Sequence, residues 1–283
     1  MKTSTSRPGT SPPPPSRARL QRASGESRVV FAFRDGRTRL ADLYQRDPCR
    51  VLFPEPEPDE PPQAVLITTS GGVTDGDTLT MAVEVGADAR AVATTQAAEK
   101  IYRAAKGGGH CIIDVRLEVA AGAALDWLPQ ETIVFEGARL KRRTVAEVAG
   151  GGALLACEMV VLGRAASGER YVSGLLLDAW SVRRSGRLVW TDTLRVEGET
   201  PDGAGFGTAN ALATVIGVWD EPQSRFDEAR ALLEAAEKVR AGVTLVNGVM
   251  VARLLGEATA VRAATIGFLT EFRGSRLPRV WHV

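Results

Sequence analysis

The chain has 283 residues, 44% of them hydrophobic, with 35 basic and 34 acidic side chains, which is enough apolar material for a substantial core in one large domain or two small ones. Residues 1–28 hold six Lys/Arg against Glu26 and the remainder is mildly acidic; a basic tail this short does not make a nucleic-acid-binding protein. Three widely spaced cysteines, Cys49, Cys111 and Cys157, make a poor disulfide framework, and without an apolar run of about 18 residues or a signal-peptide h-region the composition reads as cytoplasmic and soluble.

Residues 1–27 are low in complexity around Ser11 and Pro12 to Pro15. They offer little apolar surface to offset ordering entropy and are expected to be a disordered tail, with one domain over residues 28–283. Residues 54–62 are Pro-rich and carry Glu55, Glu57, Asp59 and Glu60; they read as an extended connector between two strands, because Pro removes ladder donors. From about 65 to 200 the pattern is mostly β, with clear alternation over residues 79–85 and 113–119. Segments 84–91, 118–125 and 147–154 share a strand, a small-residue turn and a second strand, and their leading residues Glu84, Glu118 and Glu147 are 34 and 29 apart. Such a repeat fits stacked β-units that bury a continuous core, or three ordinary hairpins with similar turns; periodicity leaves both open.

The last third adds helices. Ser224 with Asp227 forms a capping-box pattern, followed at helical spacing by Ala229, Leu232, Leu233, Ala236 and Val239, with Gly242 as the expected stop. A strand is expected over 246–255. A second helix is expected over 258–272, with Gly274 after it. Both helices read as packing elements.

Several segments look capable of chemistry. Residues 71–78 match the spacing of a phosphate-binding loop, but Asp77 stands where the lysine belongs and the following residues alternate like a strand. A carboxylate there repels phosphate, so the reading is a tight turn in which Gly71, Gly72 and Gly76 supply positive φ. Thr94 and Thr95 end a strand and point to opposite faces, where buried hydroxyls need partners. Gln130 and Glu131 are polar beside the apolar Trp127 and Phe135, the mark of a network or a site. His110 and His282 are the only histidines, and His110 and Cys111, adjacent on a strand, face opposite ways, so no tightly bound metal is expected. Catalysis has little support beyond Glu131 and Glu136 as an acid–base pair.

Three segments in order carry a resemblance to a known family: Gly71, Gly72, Gly76 and Asp77; Thr94, Thr95, Gln96, Lys100, Tyr102 and Arg103; and residues 127–131, Trp-Leu-Pro-Gln-Glu, with Gln130. Residues 278–281, Pro-Arg-Val-Trp, match the family's C-terminal pattern and are expected to dock as a last strand. Together they resemble the UreD (UreH) family of urease accessory proteins over roughly residues 30–283. The resemblance implies a mainly β fold of stacked β-layers like a short β-helix or solenoid, with a few C-terminal α-helices. It also implies a non-enzymatic scaffold that binds urease apoprotein and a UreF-type protein, which recruits a UreG-type GTPase. Neither nucleic acid nor membrane is expected as a partner. The only metal implied is transient Ni2+, with the Thr94-to-Arg103 segment near its interior passage. A passing divalent cation needs sites weak enough to leave, and Asp75, Asp77, Glu131 and Glu136 are the expected acids. The alternatives are a β-solenoid enzyme using paired carboxylates and a structural adaptor without metal transfer.

Overall fold

The structure, a computed structural model, describes residues 21–57, 60–164, 167–198 and 205–282. The heart of the tail segment, residues 1–20, lies outside them, while β1 (Ser24–Arg34) already includes the last residues assigned to that tail.

The chain winds between two sheets. After β1 come β2 (Arg37–Arg46), β3 (Cys49–Leu52) and β4 (Gln63–Thr68). One full coil follows as β5 (Thr78–Val85), β6 (Arg90–Thr95) and β7 (Glu99–Ile101), and a second as β8 (Cys111–Val119), β9 (Ala124–Leu128) and β10 (Thr132–Val134). A third begins with β11 (Arg139–Val148) and β12 (Ala153–Leu162). Next are β13 (Leu175–Arg184), β14 (Arg187–Glu197), β15 (Ala211–Val218), α1 (Pro222–Glu234), β16 (Arg240–Val246), β17 (Val249–Gly256) and α2 (Ala258–Arg273). Sheet A runs β14-β13-β11-β8-β5-β1-β2 and sheet B runs β16-β17-β15-β12-β9-β6-β4-β3, with β7 and β10 forming a short parallel ribbon beside β12.

The successive coils pair in parallel, β5 on β8 and β8 on β11 in sheet A, β6 on β9 and β9 on β12 in sheet B. That settles the sequence repeat as stacked units, because hairpins pair antiparallel. Glu84 lies opposite Glu118 and Glu118 opposite Glu147, so the residue spacings are the lengths of the coils.

Two apolar layers hold the stack. The first lies between the sheets and includes Val29, Leu79, Leu117, Leu125, Trp127 and Leu140. The second lies between the outer face of sheet B and the helices, and includes Leu128, Cys157, Met159, Phe268, Phe272 and Trp281. β12 is therefore buried on both faces from Leu154 to Leu162 and reads as an apolar run interrupted only by Glu158, whereas β8 and β11 alternate.

α2 ends as expected at Gly274, in the left-handed region with φ 66°. α1 departs from expectation. Its N-cap is Glu221, which makes no side-chain capping bond, and the helix stops at Glu234. Val239 lies beyond its end and Gly242 lies inside β16, which pairs antiparallel with β17; strand pairing here overrides helical spacing. The C-terminal segment docks, but as the 3-10 helix Arg279–His282 rather than a strand. It packs on sheet B's helix-covered face, where Trp281 joins the apolar layer with Phe268 and Phe272 of α2.

Candidate functional site

The Gly-rich loop and the Thr94-to-Arg103 segment form one unit. Val73 N donates to Lys100 O at 2.8 Å, Tyr102 N to Val73 O at 2.8 Å and Tyr102 OH to Gly71 O at 2.9 Å. Gly72 has φ 138°, and a Cβ there would sit 2.7 Å from Lys100 O, so the loop needs a residue without a side chain. Asp77 accepts from Ala23 N and Thr74 N, both at 2.8 Å. Asp75 accepts from Ala105 N at 3.0 Å, from Thr74 Oγ1 and from Arg22 at 3.1 Å. Both acids are buried and tie the start of the chain to the loop.

The second unit joins segments far apart in sequence. Thr94 Oγ1 donates to Leu128 O at 2.6 Å, and Gln130 N donates to Thr95 Oγ1 at 2.8 Å. Gln130 Nε2 donates to Val280 O at 2.8 Å, and Trp281 Nε1 to Leu128 O at 3.1 Å. Arg262 of α2 closes the group by donating to Gln130 Oε1, Glu131 and Trp281 O. Sequence reasoning missed Arg262, whose only signal is a charge within an apolar helix.

The four sequence-selected acids do not share one centre. Asp75 and Asp77 sit in the loop and Glu131 is paired with Arg262. Glu136 accepts from Val172 N, Ser173 N and Ser173 Oγ at 2.7, 3.0 and 2.6 Å. Burial raises the Glu136 carboxyl, but the Ser173 hydroxyl and the two amides outweigh it and hold it below its usual value. Among the described residues no three His, Cys, Asp or Glu side chains converge to hold a metal. His110 approaches Arg139 at 3.2 Å, and burial, with Lys141 and Arg139, lowers its pKa. Burial pushes the Cys111 thiol up to about 12, with Asp77, Glu99 and Asp75 adding to the shift.

A different polar set threads the interior. A cavity of about 220 Å³ is lined by Thr68, Gly71, Gly72, Thr95, Gln96, Glu99 and Lys100 among others. Glu99 accepts from Thr68 Oγ1 at 2.7 Å, and burial raises its carboxyl above the usual range. Its in-register neighbour on β10 is Thr132, so the two side chains share a face at the interstrand spacing of about 4.8 Å. Thr132 Oγ1 accepts from Arg142 Nη1 at 2.9 Å. Arg142 forks onto Asp178 at 2.9 and 2.6 Å and reaches Glu158 at 3.0 Å. Thr144 Oγ1 and Trp180 Nε1 each donate to Glu158 at 3.0 Å. Glu158, Asp178 and Trp180 then line a second cavity of about 320 Å³ with Asp192, Phe206 and Arg253.

Arg142, Glu158 and Asp178 are all buried. Burial opposes the charge on Arg142, but Asp178 and Glu158 more than compensate. Burial pushes the Glu158 carboxyl up to about 7 against the pull of Arg142, and Asp178 adds to the rise. The sequence signal for this set is parity: Arg142 and Asp178 occupy the inward positions of β11 and β13, which are otherwise mostly apolar (Leu140, Ala146 and Val148; Leu176, Trp180 and Val182).

A family model described as UreD urease accessory protein matches residues 23–282. Among curated proteins, Urease accessory protein UreD 2 of Methylorubrum populi is 43% identical over 95% of this chain and 92% of its own length. Urease accessory protein UreD of Methylobacterium sp. (strain 4-46) is 41% identical over 96% and 99%. That of Xanthobacter autotrophicus is 40% identical over 94% and 92%.

Proposed function

The chain belongs to the UreD family of urease accessory proteins, and from that premise we propose that it is a maturation scaffold that passes nickel through its interior to urease. In this reading it holds nickel-free urease and a UreF-type protein, which brings in a UreG-type GTPase. GTP hydrolysis belongs to that partner, in keeping with Asp77 at the position of a phosphate-binding lysine. The chain itself is a cytoplasmic maturation factor rather than a catalyst, and nickel is its transient cargo. No helix among the described residues is long and apolar enough to cross a membrane.

The observation that supports the passage is the polar file Thr68, Glu99, Thr132, Arg142, Glu158 and Asp178 across an apolar core, with a cavity at each end. Arg142 balances one of the two carboxylates it touches, so ionised Glu158 leaves one net negative charge to attract a cation. Nickel is held firmly by imidazole or mixed N, O and S donors; oxygen donors without a closed ligand set favour passage over trapping. Asp75, Asp77, Glu131 and Glu136 remain in the proposal as a second set of acids on the route.

The test is to co-express urease with its other accessory proteins, with and without this chain, and to measure nickel per active site. Low nickel only in its absence supports the role. Full loading without it ends the proposal. Glu99→Gln with Glu158→Gln, compared with the four acids neutralised together, then identifies the lining. Retained binding with lost transfer separates a conduit from an adaptor.

A further inference from the structure

A solenoid buries a continuous core only if its ends are covered. At the N-terminal end β2 and β3 are the last strands of the two sheets. Phe33, Leu40, Tyr44, Leu52 and Phe53 are there 47, 42, 44, 58 and 38% exposed, half of the exposed large hydrophobic side chains among the described residues. Leu40 lies opposite the buried Phe31, and Phe53 meets the Phe31 ring edge-on at 6.4 Å. The inter-sheet core therefore continues outward to this surface.

Charge marks the same end. Residues 28–53 hold six arginines against three aspartates, whereas residues 54–283 hold 24 basic against 30 acidic side chains. Arg28, Arg39, Arg46 and Arg50 each have a carboxylate partner. Arg34 and Arg37, opposite one another across the hairpin, have no carboxylate partner among the described residues. Edge charges ordinarily keep a strand from pairing with other copies. They do not account for five exposed apolar side chains beside it, a grouping that marks an interaction surface.

We propose that this end is a docking face for another protein of complementary make-up, with an apolar centre laid on Leu40 and Phe53 and an acidic rim meeting Arg34 and Arg37. A second copy is the wrong partner, since joining like ends brings together Arg34 and Arg37 of both copies, four arginines without a carboxylate partner among the described residues. Cys49 on β3 lies opposite Thr68 on β4, which lines the outer cavity of the polar file, so the face adjoins that cavity. The inference rests on the maturation reading only for the choice of partner proteins to test.

Purified nickel-free urease and purified UreF-type protein are each titrated against the wild-type chain, Arg34→Glu/Arg37→Glu and Leu40→Ser/Phe53→Ser. The four side chains are at the surface, and a thermal melt verifies folding. Affinity for one of the two probes is expected to fall at least tenfold in both variants, and the wild-type interaction to weaken with salt. Unchanged affinity for both probes overturns the proposal. So does wild-type self-association that the variants abolish. Urease that loads nickel fully without this chain sinks the maturation reading and leaves the binding result standing.

Discussion

Replacing Arg142 by methionine keeps much of its volume and removes its charge. The side chain is buried and holds Asp178, Glu158 and Thr132 at once. Its loss leaves two carboxylates buried without a counter-ion, a change that costs about 3–5 kcal/mol. For a domain of this size each kcal/mol lowers Tm by about 2–4 °C, so the expected drop is about 6–20 °C. A thermal-shift assay on the purified chain reads it directly. Arg230→Met is the control, because the Arg230–Glu234 pair is exposed on both sides and contributes no more than about 0.5 kcal/mol. Neutralising all three partners (Arg142→Met with Glu158→Gln and Asp178→Asn) is expected to recover most of the loss, since the destabilising element is unpaired charge rather than lost volume. A drop below about 2 °C for Arg142→Met, or no recovery in the triple variant, refutes the view that this cluster is dry and electrostatically coupled.

Further outcomes follow from other parts of the structure. Gly72→Ala forces a Cβ to 2.7 Å from Lys100 O at φ 138° and is expected to cost more than about 1 kcal/mol, seen as a lower Tm with faster proteolysis near residues 70–77. Arg262→Ala removes donors from Gln130, Glu131 and Trp281, with an expected loss of about 1–3 kcal/mol and faster amide exchange over 278–282. Glu158 has a folded pKa near 7, above its unfolded value of 4.5. The folded state therefore binds more protons between those values, and this residue's contribution to stability falls as pH rises from 4.5 to 7. Glu158→Gln is expected to remove that slope, so the wild type and the variant differ more at pH 7 than at pH 4.5 in urea titrations.

The stack was legible in the sequence only in part. Glu84, Glu118 and Glu147 mark equivalent positions on successive coils, but alternation alone does not distinguish parallel from antiparallel neighbours. α2 was legible because its apolar spacing ends at a glycine that takes up the left-handed conformation. α1 was misread because Ala236 and Val239 continue the spacing past the point where the chain turns to form β16. The three motif segments were recognisable as sequence, and the structure joins them through Gly72, Thr95 and Gln130. The buried set was not, because Arg142, Glu158 and Asp178 come from three different strands. Parity marks two of them as inward polar residues without revealing that they meet. Glu99 lies within the recognised segment, yet its significance depends on Thr132, which the coil return places beside it.

The most direct test of the account is nickel per urease active site in cells carrying Glu99→Gln/Glu158→Gln in place of the wild-type chain, with the chain's complex with urease and the UreF-type protein recovered intact. Low nickel with an intact complex is the predicted result. Full nickel loading through the doubly neutralised file contradicts the claim that the cargo crosses the interior of this protein.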